Sequence, residues 1–195
     1  MKVLVKRIFD FVFSFFGLII FLPLLVIIYI IILFIDGYPV LFVQKRVGKY
    51  GKTFKMIKFR TMKKNDQKNT VSVRGDNRIT KLGSFLRKYK LDELPELLNV
   101  LLGQMSFVGP RPDVPGYADI LEGEDREILN LKPGITGPAT IKYTNEEEIL
   151  AKVDDPQKYN DEVIFPDKVK INLEYYKNNN VLMDIKIILK TVFKI

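Results

Sequence analysis

The sequence predicts an α+β fold that is mainly helical: an N-terminal membrane helix, a small β-hairpin, and amphipathic interfacial helices around a polar core. Three observations predict it. Residues 11–35 carry no charged side chain, two short runs of strand-forming residues flank Gly48 and Gly51, and leucine, isoleucine and valine recur at helical spacing further on. The chain of 195 residues divides into a membrane helix over 1–36 and one compact domain over 37–195. No internal repeat is visible.

Residues 11–35, as helix, rise about 1.5 Å each and could cross a hydrocarbon core about 30 Å thick. The apolar run is too long for a cleavable signal, and no small-residue cleavage site follows it. Pro23 sits near its middle, where it removes a backbone donor and crowds the preceding turn. Each half measures about 18 Å, too short to cross alone. Two forms stay open: a kinked spanning helix, or a helix that dips in, breaks at Pro23 and returns. Lys2, Lys6 and Arg7 before the segment, with Lys45, Arg46 and Lys49 after it, favour the second, because positive flanks stay in the cytoplasm.

Residues 40–44 and 53–60 alternate as strands joined by a turn at Gly48 and Gly51. Gly51-Lys52-Thr53 resembles the end of a phosphate-binding loop, but Arg46 stands where its first glycine belongs and the flanks are strands, so that motif is rejected. Residues 63–78 are polar and basic and read as a mobile loop. A short helix is expected over Ile79 to Tyr89. A second starts at Asp92, carries Leu94, Leu97, Leu98 and Leu101 as one stripe, and stops at Gly103. Pro95 is tolerated in its first turn.

Residues 107–115 are proline-rich and extended, with Arg111 held between Pro110 and Pro112. Pro133-Gly134-Ile135-Thr136-Gly137 forms another turn, and the acidic stretch 144–168 is part helix and part loop. Over 181–195, Val181, Leu182, Ile185, Ile188, Leu189, Val192 and Phe193 line one face while Lys186, Lys190 and Lys194 line another. Such a helix lies in a membrane interface or packs on the core.

Composition narrows the chemistry. The chain has no Cys and no His, which excludes disulfides, thiol nucleophiles, Ser-His-Asp triads and His or Cys metal sites. Catalysis must run on carboxylates, Lys, Arg, Tyr, hydroxyls or an oxygen-bound metal. The net charge is +8, yet residues 45–90 hold 16 basic and 2 acidic side chains. A basic block beside an apolar segment suits anionic headgroups or phosphorylated substrates, with nucleic acid as the rival partner.

Asp92 and Glu93 follow that block. As helix-start acids they would simply cap and complement the dipole. As a chemical pair they diverge, since neighbours on a helix do not share a face, so one can attack while the other orients it or holds a metal. An ordinary carboxylate is already ionised at neutral pH and needs no base. Drawing a phosphate to two acids requires Mg²⁺ or arginine to neutralise charge. Arg87, about a turn upstream, and the rigidly held Arg111 are the candidate phosphate clamps.

The motifs then take a recognisable order: an apolar N-terminal helix, Gln44-Lys45-Arg46-Val47-Gly48, Lys58-Phe59-Arg60-Thr61-Met62, Leu91-Asp92-Glu93-Leu94-Pro95, Met105-Ser106-Phe107-Val108-Gly109-Pro110-Arg111-Pro112, and Pro133-Gly134-Ile135-Thr136-Gly137. Nearly the whole chain resembles the small monotopic phosphoglycosyl transferases, bacterial sugar transferases that begin glycoconjugate assembly on polyprenol phosphate. The resemblance implies that Asp92 attacks the β-phosphorus of a UDP-sugar, expels UMP, and passes the phosphosugar to undecaprenyl phosphate. It implies Glu93 as the second dyad member and Mg²⁺ bound near Asp92 and Glu93. It also implies phosphate contacts from Arg111 with Pro110 and Pro112, and from Lys58 and Arg87. It further implies a re-entrant helix broken at Pro23 and a catalytic core facing the cytoplasm at the bacterial inner membrane, in contact with its lipids and without nucleic acid. The helix break departs from the Ser-Pro of some members, being Leu22-Pro23 here. The minimal catalytic form is expected, with sugar choice in residues 139–168. No motif specifies an oligomeric state.

Overall fold

A computed structural model describes residues 2–63 and 76–193; most of the predicted 63–78 loop lies outside them, as does Lys194. Helix α1 runs from Lys2 to Ile35, 34 residues, with Pro23 inside it. The helical run continues through Pro23: a proline costs one backbone bond, and its neighbours hold the turn together. Phe13, Phe16, Ile19, Ile20, Leu22 and Ile27 are among the many apolar side chains that α1 leaves exposed. The helix is long and apolar enough to cross a membrane, and that sleeve fits membrane association.

Both ends of α1 are fastened to the same domain. Near its start, Lys6 donates to the Val108 carbonyl at 2.9 Å and pairs with Asp184 at 2.5 Å. Arg7 caps the carbonyls of Val100 and Leu101 at 2.7 and 2.8 Å, and buried Asp10 accepts from Ser106 Oγ and the Phe107 N–H. Near its end, Ile28 and Ile32 join Val40, Phe59 and Leu86 in one core cluster. Just beyond, Arg60 donates to the Asp36 and Gly37 carbonyls, and Thr80 donates to Asp36 Oδ2.

The predicted hairpin is present as β1 (Leu41–Val47) and β2 (Thr53–Phe59), antiparallel, with Leu41 opposite Phe59 and Val47 opposite Thr53. Strand β1 extends three residues past the predicted end, with Lys45, Arg46 and Val47 paired to Lys55, Phe54 and Thr53. Helix α2 spans Lys81–Lys88 and is capped by Thr80, whose hydroxyl accepts from the Gly83 N–H. Gly83 has no alternative, since a Cβ there would meet the Thr61 carbonyl oxygen at 2.1 Å.

The helix expected to open at Asp92 is corrected. Leu91–Glu93 form a 3₁₀ turn, and α3 covers Glu96–Leu101 with Pro95 at its N-cap. Proline suits that entry because its missing donor would have had no partner inside the helix. The expected leucine stripe is only partly right: Leu97 is buried, Leu98 is exposed, and the face toward β2 is Glu96, Asn99 and Val100. Asn99 replaces a missing strand neighbour, accepting from the Ile57 N–H at 3.1 Å and donating to the Lys55 carbonyl at 2.7 Å. Gly103, at φ +79°, ends the helix as expected.

Strands β3 (Ser106–Val108) and β4 (Gly134–Thr136) form a parallel pair. Short helix α4 (Pro138–Lys142) precedes the acidic stretch, which holds α5 (Glu146–Leu150) and α6 (Pro156–Tyr159), with a π turn leading into α7 (Phe165–Asn178). The last helix, α8 (Val181–Phe193), packs on the core, one of the two arrangements expected for it. Ile187 and Asp184 are buried against the core, while Leu182, Leu189, Val192 and Phe193 face outward.

Candidate active site

The site begins where the chain reverses after α2. Lys90 takes a left-handed conformation at φ 57°, a strained position for a non-glycine residue, and so aims Asp92 and Glu93 inward. Both carboxylates are buried, 7% and 8% exposed. Their surroundings differ. Glu93 Oε1 accepts from Lys58 Nζ at 2.9 Å and from Arg111 Nη2 at 2.5 Å. Asp92 Oδ1 is buried with no hydrogen-bond partner among the described residues.

Burial opposes ionisation of Glu93, but Arg111, Lys58 and Lys90 outweigh it and hold this carboxyl well below the usual range. Asp92 goes the other way. Burial first, then the charge of Glu93, pushes it above an ordinary aspartate, with Lys58, Arg87 and Lys90 partly offsetting the rise. Glu93 in turn holds Arg111 firmly protonated.

A third acid, not singled out from the sequence, completes the cluster. Glu96 is 2% exposed and lies 3.1 Å from Lys58 Nζ. Burial raises its pKa against the pull of Lys58. Its position three residues after Glu93, one helical turn, was the available signal. Lys58 therefore joins two acids rather than standing open to a phosphate.

Arg111 is held by its neighbours' carbonyls. The Pro110 oxygen accepts from the Gly134 N–H at 2.8 Å, and the Pro112 oxygen accepts from Arg46 at 3.2 Å. The loop sits so close to β4 that a Cβ on Gly137 would lie 2.3 Å from the Gly109 carbonyl oxygen. Pro110, Arg111, Pro112 and Asp113 line a cleft with Gly48 and Val47. Burial pushes Asp113 up to about 6 despite nearby Lys168 and Arg46. Arg87, the other expected phosphate ligand, pairs with Glu147 of α5 at 3.0 Å. The structure thus brings Asp92, Glu93, Lys58 and Arg111 together, with Arg87 within electrostatic reach of Asp92.

The residues fit the expected Mg²⁺ through an oxygen donor set. Asp92 offers an oxygen with no protein partner, while Glu93 Oε1 is taken by two cations. Among the described residues no three acids are placed to hold an ion alone. Mg²⁺ commonly uses one or two carboxylates and takes the rest from water and substrate phosphates.

An apolar helix that fits membrane association, seated on an α+β domain with a carboxylate pair among fixed cations, defines the class. The chain belongs to the bacterial sugar transferase family, whose profile matches residues 1–195. It is 42% identical over 163 residues to the UDP-glucose:undecaprenyl-phosphate glucose-1-phosphate transferase of Escherichia coli, covering 80% of this chain and 32% of that protein. It is 32% identical over 204 residues to the exopolysaccharide production protein ExoY of Sinorhizobium fredii, covering 96% and 83%. The UDP-N-acetylgalactosamine-undecaprenyl-phosphate N-acetylgalactosaminephosphotransferase of Aeromonas hydrophila is 35% identical over 162 residues, with 79% and 34% covered. The chain thus spans about a third of two of these relatives and most of the other.

Proposed function

We propose that this chain transfers a sugar 1-phosphate from a UDP-sugar to undecaprenyl phosphate through a phosphosugar carried on Asp92. One observation carries the reading: the buried Asp92 oxygen without a hydrogen-bond partner beside a Glu93 neutralised by Lys58 and Arg111. An unpaired carboxylate oxygen keeps its electron pair for attack, whereas Glu93 spends its own on two cations. Asp92 forms a bond to the β-phosphorus, the bond from that phosphorus to the bridging oxygen breaks, and UMP departs with the electron pair. A phosphate oxygen of the lipid then attacks the same phosphorus and releases Asp92. Splitting one displacement into two is covalent catalysis.

Arg111, braced by Pro110 and Pro112, holds a donor phosphate, with Arg87 and Lys58 supplying further positive charge. Mg²⁺, held by Asp92 and Glu93, would neutralise the diphosphate when bound. The names of two relatives support UDP-sugar donors and undecaprenyl phosphate as acceptor. Helix α1 is proposed to dip into the cytoplasmic leaflet of the inner membrane, bend at Pro23 and return. Support comes from the bonds that Lys6, Arg7 and Asp36 make to one domain from its two ends. The outward side chains of α8 would lie at the headgroup level of the same leaflet.

The test is UMP release from a UDP-sugar with Mg²⁺ and no lipid acceptor. The covalent route predicts a burst near one UMP per enzyme. A requirement for the lipid before any UMP appears would overturn it.

A further inference from the structure

The acidic stretch 144–168 reaches the site through α5 and Lys168. Helix α5 opens with three glutamates, and the first two pair with different cations near the candidate donor site, Lys168 and Arg87. Glu146 is bound through both oxygens to Lys168 Nζ at 2.7 Å, and its charge reaches Asp113, two residues beyond Arg111. Glu147 pairs with Arg87 at 3.0 Å, and Arg87 acts on Asp92. The N-terminal turn of α5 therefore joins the arginine beside the nucleophile to the loop that holds the other arginine.

The two glutamates differ in how tightly they are held. Glu146 is a two-oxygen partner of Lys168 with 29% of its side chain exposed. Glu147 has 47% exposed and offers one oxygen to Arg87. A partly exposed pair of this kind adds little stability, so a stronger anion can draw Arg87 from Glu147. A donor diphosphate is such an anion. Once displaced, the Glu147 carboxylate stands beside the phosphates, where the attached sugar must lie. A carboxylate accepts hydrogen bonds from sugar hydroxyls and amide N–H groups, and it discriminates between sugars that place those groups differently.

We propose that Glu147 is the specificity-determining residue for the donor sugar, exchanging Arg87 for a hydroxyl or amide N–H of the sugar when the diphosphate binds. This rests on the transferase reading above. The test measures kcat/KM for UMP release from UDP-glucose, UDP-galactose, UDP-N-acetylglucosamine and UDP-N-acetylgalactosamine, for wild type, Glu147→Gln and Glu147→Ala. Thermal unfolding checks that both variants remain folded. The expected result is a drop of about tenfold or more in the preference between the best and second-best donor for Glu147→Ala. Glu147→Gln, which keeps an acceptor oxygen, should fall between. Unchanged preferences would overturn the proposal, and if kcat/KM fell by one common factor across all donors, Glu147 would only neutralise Arg87. If wild type released UMP from no nucleotide sugar, the transferase reading itself would fall, a result distinct from either.

Discussion

At the scale of single residues, the two members of the acidic pair are made unlike by their surroundings. Glu93 is fixed by Lys58 and Arg111, and Asp92 is left with an oxygen facing no protein donor. By residue type Asp92 is an ordinary carboxylate, but its burial raises it. Asp113 gives the cleanest pH signature. Its pKa rises from 3.8 to about 6 on folding, so the folded state binds the proton more tightly than the unfolded chain. The contribution of Asp113 to stability is therefore fullest at low pH and is lost as pH rises from about 4 to 6, by at most about 3 kcal/mol. Asp113→Asn, which mimics the protonated form, should raise Tm at pH 7.5 and lose that advantage near pH 4. Equal shifts at both pH values would show that the carboxyl is not strained by burial.

At the scale of elements, the site depends on how α3 is joined to β2. Asn99 is fully buried and serves both the Ile57 N–H and the Lys55 carbonyl. Asn99→Ala should leave them unpaired and destabilise the domain by about 2–4 kcal/mol, read as a fall in the denaturant midpoint. A loss below about 0.5 kcal/mol would mean that β2 does not need this substitute neighbour. The hairpin, α2, α8 and the stop at Gly103 were legible because alternation, helical spacing and glycine are local signals. The start of α3 was not, because a proline suits a first turn as well as an N-cap, and Pro95 is the N-cap. Nor were the burial of Glu96 and Asn99 or the pairing of Arg87 with Glu147, which depend on residues far apart in sequence. Arg111 was legible as rigid from its flanking prolines, but its bond to Glu93 was not.

At the scale of the molecule, both ends of one apolar helix are bonded to one domain. A cysteine-free chain allows a direct check of the topology this supports. Lys2→Cys and Lys49→Cys, placed singly, should react with a membrane-impermeant thiol reagent from the same side in oriented vesicles. Labelling from opposite sides would mean that α1 spans. The central claim of the proposed function is that Asp92 carries the phosphosugar, and intact-mass measurement tests it most directly. Wild-type protein given UDP-sugar and Mg²⁺ without acceptor should gain the mass of one sugar phosphate, located on Asp92 by fragmentation, and Asp92→Asn should gain none. A gain that persists in Asp92→Asn, or that maps to another side chain, would contradict the account.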